Sequence, residues 1–276
     1  MDKIAIIASS QDPAGINIRN NLIELFDFEK INEKFDDNDV FQYIDNNNQI
    51  KLFLTNNELV HSENIDERID SDILIFASKH RSKENTPSFA VHSIGNWHEA
   101  YLGGQNGKLC MSSAVLLKNL FLELNENAKS IEGYDITLEA THHGPYVSKP
   151  SVFVEIGSTE KEWNDKLNGE IIAKTIMNGL KNENKNYESY ILIGGGHYNQ
   201  AANKIMLRTN YAVGHICPKY ALEYLDEDMI IQAINKTIPT PNIVLLDWKG
   251  LGKEKQKIIS MLNNLNLEFK RTDKLS

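Results

Sequence analysis

Lys3-Ile4-Ala5-Ile6-Ile7-Ala8 is apolar at every position after its lysine, and this run decides the fold class. A strand with one wet face alternates apolar and polar residues, whereas a strand covered on both faces stays apolar throughout. The turn-rich segment Ser9-Ser10-Gln11-Asp12-Pro13-Ala14-Gly15 follows, and the amphipathic stretch from Ile16 to Phe26 then reads as a helix. The same grammar recurs. Asp72–Ala77 (DILIFA) is another buried strand, and strands are expected at Tyr134–Ala140, Ser151–Glu155, Tyr190–Gly194, Tyr211–Ile216, Asn242–Asp247 and Leu267–Arg271. Helices are expected over Ser112–Asn125, Glu160–Lys181 and Glu254–Leu265, the last with Ile258, Ile259, Leu262 and Leu265 on one stripe. Residues 40–62 read as a meander turning at Asp45-Asn46-Asn47-Asn48 and at Asn56-Asn57. Buried strands between helices predict an α/β fold: a mixed, largely parallel sheet with helices on both faces. With no internal repeat and no Pro/Ser-rich linker, residues 1–276 read as a single domain.

Bulk properties mostly exclude. In 276 residues, 41% hydrophobic and 24% charged side chains suit a globular protein with a large core. No apolar run is long enough to span a bilayer, and Met1-Asp2-Lys3 leads directly into a strand rather than a signal peptide. Cys110 and Cys217 stand far apart without a CxxC pattern, which suits a reduced, cytoplasmic compartment. A cytoplasmic, monomeric protein with no membrane partner is expected. The net charge of −9 argues against broad nucleic-acid binding, and no DNA partner is expected. The charge is uneven, however. From Lys249 onward seven basic residues face three acidic ones, so this tail is +4 and the remainder −13. Lys79-His80-Arg81-Ser82-Lys83 is a second basic cluster, and the two leave room for one polyanion groove.

The chemistry gathers at strand ends. Glu139-Ala140-Thr141-His142-His143-Gly144-Pro145 puts a carboxylate, a hydroxyl and two imidazoles at the end of an expected strand. Alternation would set Glu139, Thr141 and His143 on one side and His142 on the other, with Gly144-Pro145 able to re-aim one ring. Six of the eight histidines (His80, His92, His142, His143, His197 and His215) fall in or after expected strands. Open α/β sheets hold their sites at such ends. Several motifs are absent: His98-Glu99 lacks the second histidine of HExxH, no GxSxG occurs, and Gly104-Gln105-Asn106-Gly107-Lys108 misses the Walker spacing. Gly194-Gly195-Gly196 leads to His197 but lacks a dinucleotide fingerprint, because Asn199 stands where the third glycine belongs. That run serves either a close backbone approach to a ligand or a tight strand-to-helix turn. Gly250-Leu251-Gly252-Lys253 before a helix is a further candidate phosphate cradle.

A series of motifs carries a resemblance. Asp12-Pro13-Ala14-Gly15-Ile16-Asn17-Ile18, Ser78-Lys79-His80-Arg81-Ser82, Val91-His92-Ser93-Ile94-Gly95-Asn96 and Glu139 through Pro145 come first. Ser148-Lys149-Pro150-Ser151, Glu155-Ile156-Gly157-Ser158-Thr159-Glu160-Lys161-Glu162-Trp163, Gly195-Gly196-His197-Tyr198, Gly214-His215 and Lys219-Tyr220 follow. In this order they resemble the archaeal-type D-aminoacyl-tRNA deacylases. The resemblance implies hydrolysis of the ester joining a D-amino acid to tRNA, zinc dependence, and a fold similar to the phosphorylase and peptidyl-tRNA hydrolase group.

The residues support that chemistry on their own terms. Neutral imidazoles with a carboxylate form a usual catalytic zinc set, and zinc activates water and polarises a carbonyl. Candidate Zn2+ ligands are His80, His142, His143 and His197. Glu139 and Glu155 are candidates for carboxylate ligand or general base, and with His142 and His143 they form the expected catalytic set. Substrate contacts are expected from Asp12, Lys79, Asn96, Ser158, Thr159 and Lys253. Two other readings stay open: a phosphorylase-like or zinc-peptidase-like hydrolase of a small molecule, and a non-enzymatic module that binds the tRNA end.

Overall fold

The computed structural model describes residues 2–45, 47–82, 84–181 and 186–275. The opening strand, β1 (Asp2–Ser9), lies inside an eight-stranded sheet. Its partners are β2 (Glu29–Phe35), β3 (Asn38–Ile44), β4 (Asn48–Thr55), β5 (Ile73–His80), β6 (Ser88–His92), β7 (Asp135–Leu138) and β8 (Ser151–Gly157). The order is β7-β6-β8-β5-β1-β4-β3-β2. The pairs β1–β4, β1–β5, β5–β8 and β6–β7 are parallel, while β6–β8 and the β2-β3-β4 meander are antiparallel. The mixed, largely parallel α/β class expected from the apolar strands is therefore present. One expectation needs correcting, since the strands do not share a single sheet. β9 (Glu188–Ile193), β10 (Tyr211–Cys217), β11 (Ile243–Leu246) and β12 (Glu268–Arg271) form a second sheet, parallel throughout, in the order β10-β9-β11-β12.

Helix boundaries follow from capping. In α1 (Pro13–Leu25), Asp12 accepts the Gly15 N–H at 2.9 Å and proline stands at the first turn. Gly15 lets α1 press onto β5, because a Cβ there would lie 2.7 Å from the Ala77 carbonyl oxygen. Ser113 caps α2 (Ala114–Ala128) through the Leu116 N–H. The long helix expected over 160–181 is two: α3 (Glu160–Asn164) and α4 (Lys166–Lys181). Asp165 breaks it by taking an extended conformation and accepting the Leu167 N–H on its side chain, the usual competition of aspartate with helical backbone. The freed carbonyls of Trp163 and Asp165 both accept from the Asn17 side chain, which pins the break to α1. The meander begins at Glu29 and ends at Thr55. β2 escapes sequence reading because it is an edge strand rich in exposed charge, and Leu59–His61 is a 3₁₀ turn. The helices α5 (Gln200–Arg208), α6 (Glu227–Asn235) and α7 (Lys255–Asn264) complete the principal elements.

One face of the large sheet carries α1, α2 and α4, and Leu22, Leu120, Phe121 and Ile176 pack there against Ile6, Ile75 and Val154. The same core continues into the second sheet through Tyr190, Leu192, Val213 and Leu245. On the opposite face Phe76 and Phe153 stack at 4.9 Å beneath Leu59, Ile65, Ile69 and Val147, which belong to connecting segments and the short helix Ile65–Arg68. α6 and α7 cover the outer face of the second sheet with Met229, Ile230, Ile258 and Leu262. No helix among the described residues is long and apolar enough to cross a membrane.

The two sheets meet at Thr141. Its N–H donates to the Ile216 carbonyl at 3.0 Å, and its Oγ1 accepts the Ile216 N–H at 3.0 Å. His215 Nε2 lies 3.1 Å from the Cys110 carbonyl, which can only accept, so the ring proton sits there. Nδ1 is then an acceptor, and the Thr141 hydroxyl donates to it at 3.2 Å. Every polar atom of the junction is satisfied only while His215 is neutral, and burial pushes its pKa down to about 4. The unfolded ring titrates near 6.5. The stability this residue contributes is therefore full above that pH and is lost as pH falls toward 4. We expect the linked loss between pH 7 and pH 5 to be about 2 kcal/mol. Urea unfolding at both pH values checks this: the wild-type midpoint should fall more steeply than that of His215→Gln, and equal slopes would contradict it.

Candidate functional site

Three strands bring the first members together. Glu155 of β8 pairs with Ser78 of β5 and with Ala90 of β6. Side chains two positions apart share a face, so His80, ending β5, and His92, ending β6, stand diagonally beside Glu155. Glu155 Oε2 lies 3.4 Å from His80 Nδ1 and 3.5 Å from His92 Nε2. From the edge of the sheet, β7 ends at Leu138 and its continuation bridges Glu139 to Tyr198 and His142 to Ile94. Glu139 then touches three imidazoles: His80 Nδ1 at 3.2 Å, His142 Nε2 at 3.5 Å and His197 Nε2 at 3.2 Å.

The expected alternation over Glu139–His143 is corrected here. The strand stops early, Thr141 turns toward the second sheet, and both His142 and His143 enter the cluster. His143 has φ of +37°, the left-handed region, and the ring centroids of His142 and His143 lie 4.4 Å apart. His197 arrives through Gly194 and Gly195, both at positive φ. A Cβ on Gly195 would meet the Asn199 side chain at 2.5 Å, and one on Gly250 would meet the Gly195 nitrogen at 2.3 Å. These glycines therefore serve a tight turn against a neighbouring loop.

The histidine tautomers can be deduced. Nδ1 lies against a carbonyl oxygen in His92 (Ser93, 3.1 Å), His142 (Ala140, 2.7 Å) and His143 (Gly144, 2.6 Å). Each Nδ1 must carry a proton, so in the neutral ring each Nε2 presents a lone pair. A backbone partner on one nitrogen with the other directed at a common point is the outer-shell pattern of metal-ligating histidines. The ligand atoms of His92, His142 and His143 lie within 4.8 Å of one another, as do those of Glu139, His142 and His197 and those of His80, Glu139 and Glu155. His92 Nε2, both oxygens of Glu139 and Oε2 of Glu155 are buried without a hydrogen-bond partner. Among the described residues, neither carboxylate pairs with lysine or arginine. Buried carboxylates beside imidazole nitrogens form a donor set that a divalent metal would fit.

Protonation follows the same logic. Burial lowers the pKa of His80, but Glu155 and Glu139 outweigh it and raise the value to about 9. Burial likewise opposes the raised pKa of His92, which Glu155 dominates. His142 is held well below the usual range by burial and by His92, His143 and His197, while burial and His92 bring His143 down to about 4. Glu155 is kept ionised by His80 and His92 despite its burial. Tyr198 OH stands 2.7 Å from His80 Nε2 and fixes that ring.

Two cavities flank the imidazoles. The larger, about 450 Å³, is lined by Ser9, Gln11, Lys79, Arg81, His80 and Glu155 among others; the smaller, about 260 Å³, is lined by Trp97, Tyr101, Tyr220 and Tyr224. Leu102, His142 and His143 border both. All four expected metal ligands and both expected carboxylates thus converge on one centre. His92 joins them, although sequence reading marks only its strand-end position. Its place in the Val91–Asn96 motif was the further signal that could have added it to the ligand candidates.

The expected substrate contacts divide. Asp12 and Lys79 line the larger cavity, with the Asp12 carboxylate accepting from Gly15 N, Ser78 Oγ and Lys79 N at 2.9 Å each. Asn96 lines the smaller cavity. Ser158 donates to the Thr86 carbonyl, and Thr159 starts α3 in a capping box with Glu162; neither lines these cavities. Lys253 is largely exposed beside α7. In the same region Lys257 donates to the Leu222 and Glu223 carbonyls and Lys255 lies over Trp248. Lys83 lies outside the described residues.

Residues 67–270 match the family model described as D-aminoacyl-tRNA deacylase. The D-aminoacyl-tRNA deacylase of Thermococcus kodakarensis is 36% identical over 275 residues, covering 96% of this chain and 98% of the relative. That of Pyrococcus abyssi is 37% identical over 273 residues with the same coverage. The crystal structure of AF0625, a conserved protein of unknown function, superposes with a TM-score of 0.88 at 31% identity, covering 99% of this chain and 96% of the other.

Gly144 holds the histidine pair against the rest of the fold. A Cβ there would lie 2.1 Å from the Gly104 nitrogen, 2.4 Å from the Gly103 carbonyl carbon and 2.7 Å from the Val60 oxygen, all backbone. Nothing flexible can yield, so Gly144→Ala should destabilise the protein by about 1–3 kcal/mol. A urea midpoint equal to wild type would show that the loop is not held this way.

Proposed function

This chain belongs to the D-aminoacyl-tRNA deacylase family, and from that premise we propose that it hydrolyses the ester of D-aminoacyl-tRNA at the histidine–carboxylate centre with the help of a bound zinc ion. The carrying observation is the set of three histidines whose Nδ1 is held by a backbone carbonyl, leaving Nε2 as the ligating atom of the neutral ring, beside two buried carboxylates that no lysine or arginine answers among the described residues. His92, His142 and His143 would hold the metal through Nε2, with Glu139 and His197 adjoining. When bound, zinc supplies Lewis acidity and lowers the pKa of water to about 7.

The remaining work falls to the chain. An aminoacyl ester is already activated, so the enzyme must mainly deliver water and stabilise negative charge on the carbonyl oxygen. Glu155 opens on the larger cavity and is kept ionised, which suits it to take a proton from the attacking water. Glu139, enclosed by His80, His142 and His197, offsets positive charge at the centre. Lys79 and Arg81 on the cavity rim give the polyanionic substrate its approach. This eases the conflict between a net charge of −9 and an RNA substrate.

The deciding experiment is release of D-tyrosine from D-tyrosyl-tRNA by purified protein, with metal content measured before and after chelation. Bound zinc and chelator-sensitive release are expected; release that survives complete metal removal would defeat the zinc reading. His92→Ala and His142→Ala should each lower zinc content and reduce kcat by roughly a hundredfold or more, while tRNA affinity changes little. Near-wild-type kcat in variants that only melt earlier would make these histidines structural.

The RNA path has its own test. Reversing charge at Lys79 and Arg81 should flatten the log–log salt dependence of tRNA binding by roughly 0.7–0.9 for each phosphate that is no longer neutralised. A slope that flattens instead with Lys253→Glu would move the groove to the C-terminal loop.

A further inference from the structure

The larger cavity carries Lys79 and Arg81 with the polar groups of Ser9 and Gln11. The smaller has no lysine or arginine in its lining and is walled by aromatic rings. Three of its polar groups are already engaged. Trp97 Nε1 donates to the Ile216 carbonyl at 3.1 Å, Asn96 Nδ2 donates to the Gly103 carbonyl at 3.0 Å, and Thr141 is held at the junction between the sheets. Apolar carbon makes up much of the rest, the Trp97 face, the Leu102 side chain, and Tyr224 stacked on His98 at 4.1 Å and 3°, with His98 and Glu99 as polar side chains beside it. Tyr101, Leu102, Tyr220 and Tyr224 are among the most exposed large hydrophobic side chains of the described residues, and all four border this one cavity.

We infer that the two cavities divide the substrate at the His142–His143 ridge, with the terminal nucleotide in the polar cavity and the side chain of the D-amino acid in the aromatic one. This rests on the deacylase reading above and extends it to the origin of side-chain preference. Two physical arguments carry it. A phosphate-bearing nucleotide needs cations, and of the two cavities the larger is the one lined by lysine and arginine. An aromatic or aliphatic side chain needs apolar carbon to pack against, which Trp97, Tyr101, Leu102, Tyr220 and Tyr224 of the smaller cavity supply. The ester joins these two parts, and His142 and His143 are the cluster members that border both spaces.

The assignment predicts a change of selectivity. Tyr224→Ala removes one wall, and Ala221→Met narrows the same cavity. Each variant, with folding confirmed by circular dichroism, is compared with wild type on D-tyrosyl and D-alanyl esters of one tRNA. The ratio of kcat/KM for D-tyrosyl over D-alanyl ester should fall roughly tenfold in both variants. Arg81→Glu should instead lower both esters in parallel and weaken binding of uncharged tRNA. Parallel losses on the two esters in the Tyr224 and Ala221 variants, or weakened binding of uncharged tRNA in Tyr224→Ala, would overturn the assignment and put the RNA end in the aromatic cavity. A wild-type protein that cleaves neither ester removes the deacylase reading and this one with it. Cleavage of both esters with an unaltered ratio removes only the assignment.

Discussion

Two carboxylates, Glu139 and Glu155, are buried at the meeting point of three strands, and among the described residues no lysine or arginine answers them. The cost of desolvating such a pair is several kcal/mol per charge, and only imidazoles stand within contact distance. This constraint shapes the surroundings. His80 is driven toward its charged form by the two acids, while His142 and His143 are driven toward neutrality by burial and by neighbouring imidazoles, His92 foremost. Neutral imidazoles with fixed tautomers stand beside ionised carboxylates as a result, a donor set of the kind that would suit a divalent cation.

The backbone around the centre serves that constraint. The register of β8 between β5 and β6 places Glu155 beside His80 and His92. The Thr141–Ile216 and Thr141–His215 bonds fasten the segment carrying His142 and His143 to the second sheet. Gly144 allows that segment to lie against Gly103 and Gly104, and the Gly194-Gly195 turn brings His197 across from β9. The site is thus assembled from both sheets, and its precision depends on their junction.

Charge is arranged on a coarser scale. The protein is acidic overall, yet Lys79 and Arg81 stand at the mouth of the larger cavity while the smaller is aromatic. Membership of the D-aminoacyl-tRNA deacylase family makes sense of that asymmetry, because such a substrate is a polyanion at one end and an amino-acid side chain at the other. Of the basic tail, Lys257 is engaged by carbonyls and Lys255 and Arg271 lie over the Trp248 ring, so much of its charge supports packing.

The α/β class, the apolar strands, the strand-end position of His80 and the place of His142 and His143 beyond a strand were legible from residue order alone, whereas Glu155, expected to end its strand, lies inside β8. Buried strands cannot hide their apolar runs, and a polar residue at the end of such a run must emerge at the sheet's edge. The motif series also carried the family. Other features were not legible. β2 is too polar to announce itself, and Asp165 breaks a helix through a side-chain bond that periodicity does not register. The division into two sheets, the inclusion of His92 and the turning of Thr141 away from its neighbours depend on which strands pair. Two of the deciding pairings, Thr141 with Ile216 and Glu155 with Ala90, join residues more than fifty positions apart. Local propensity has no access to contacts of that range, so the sequence determined the donor types and their strand ends, and tertiary packing alone decided which donors meet.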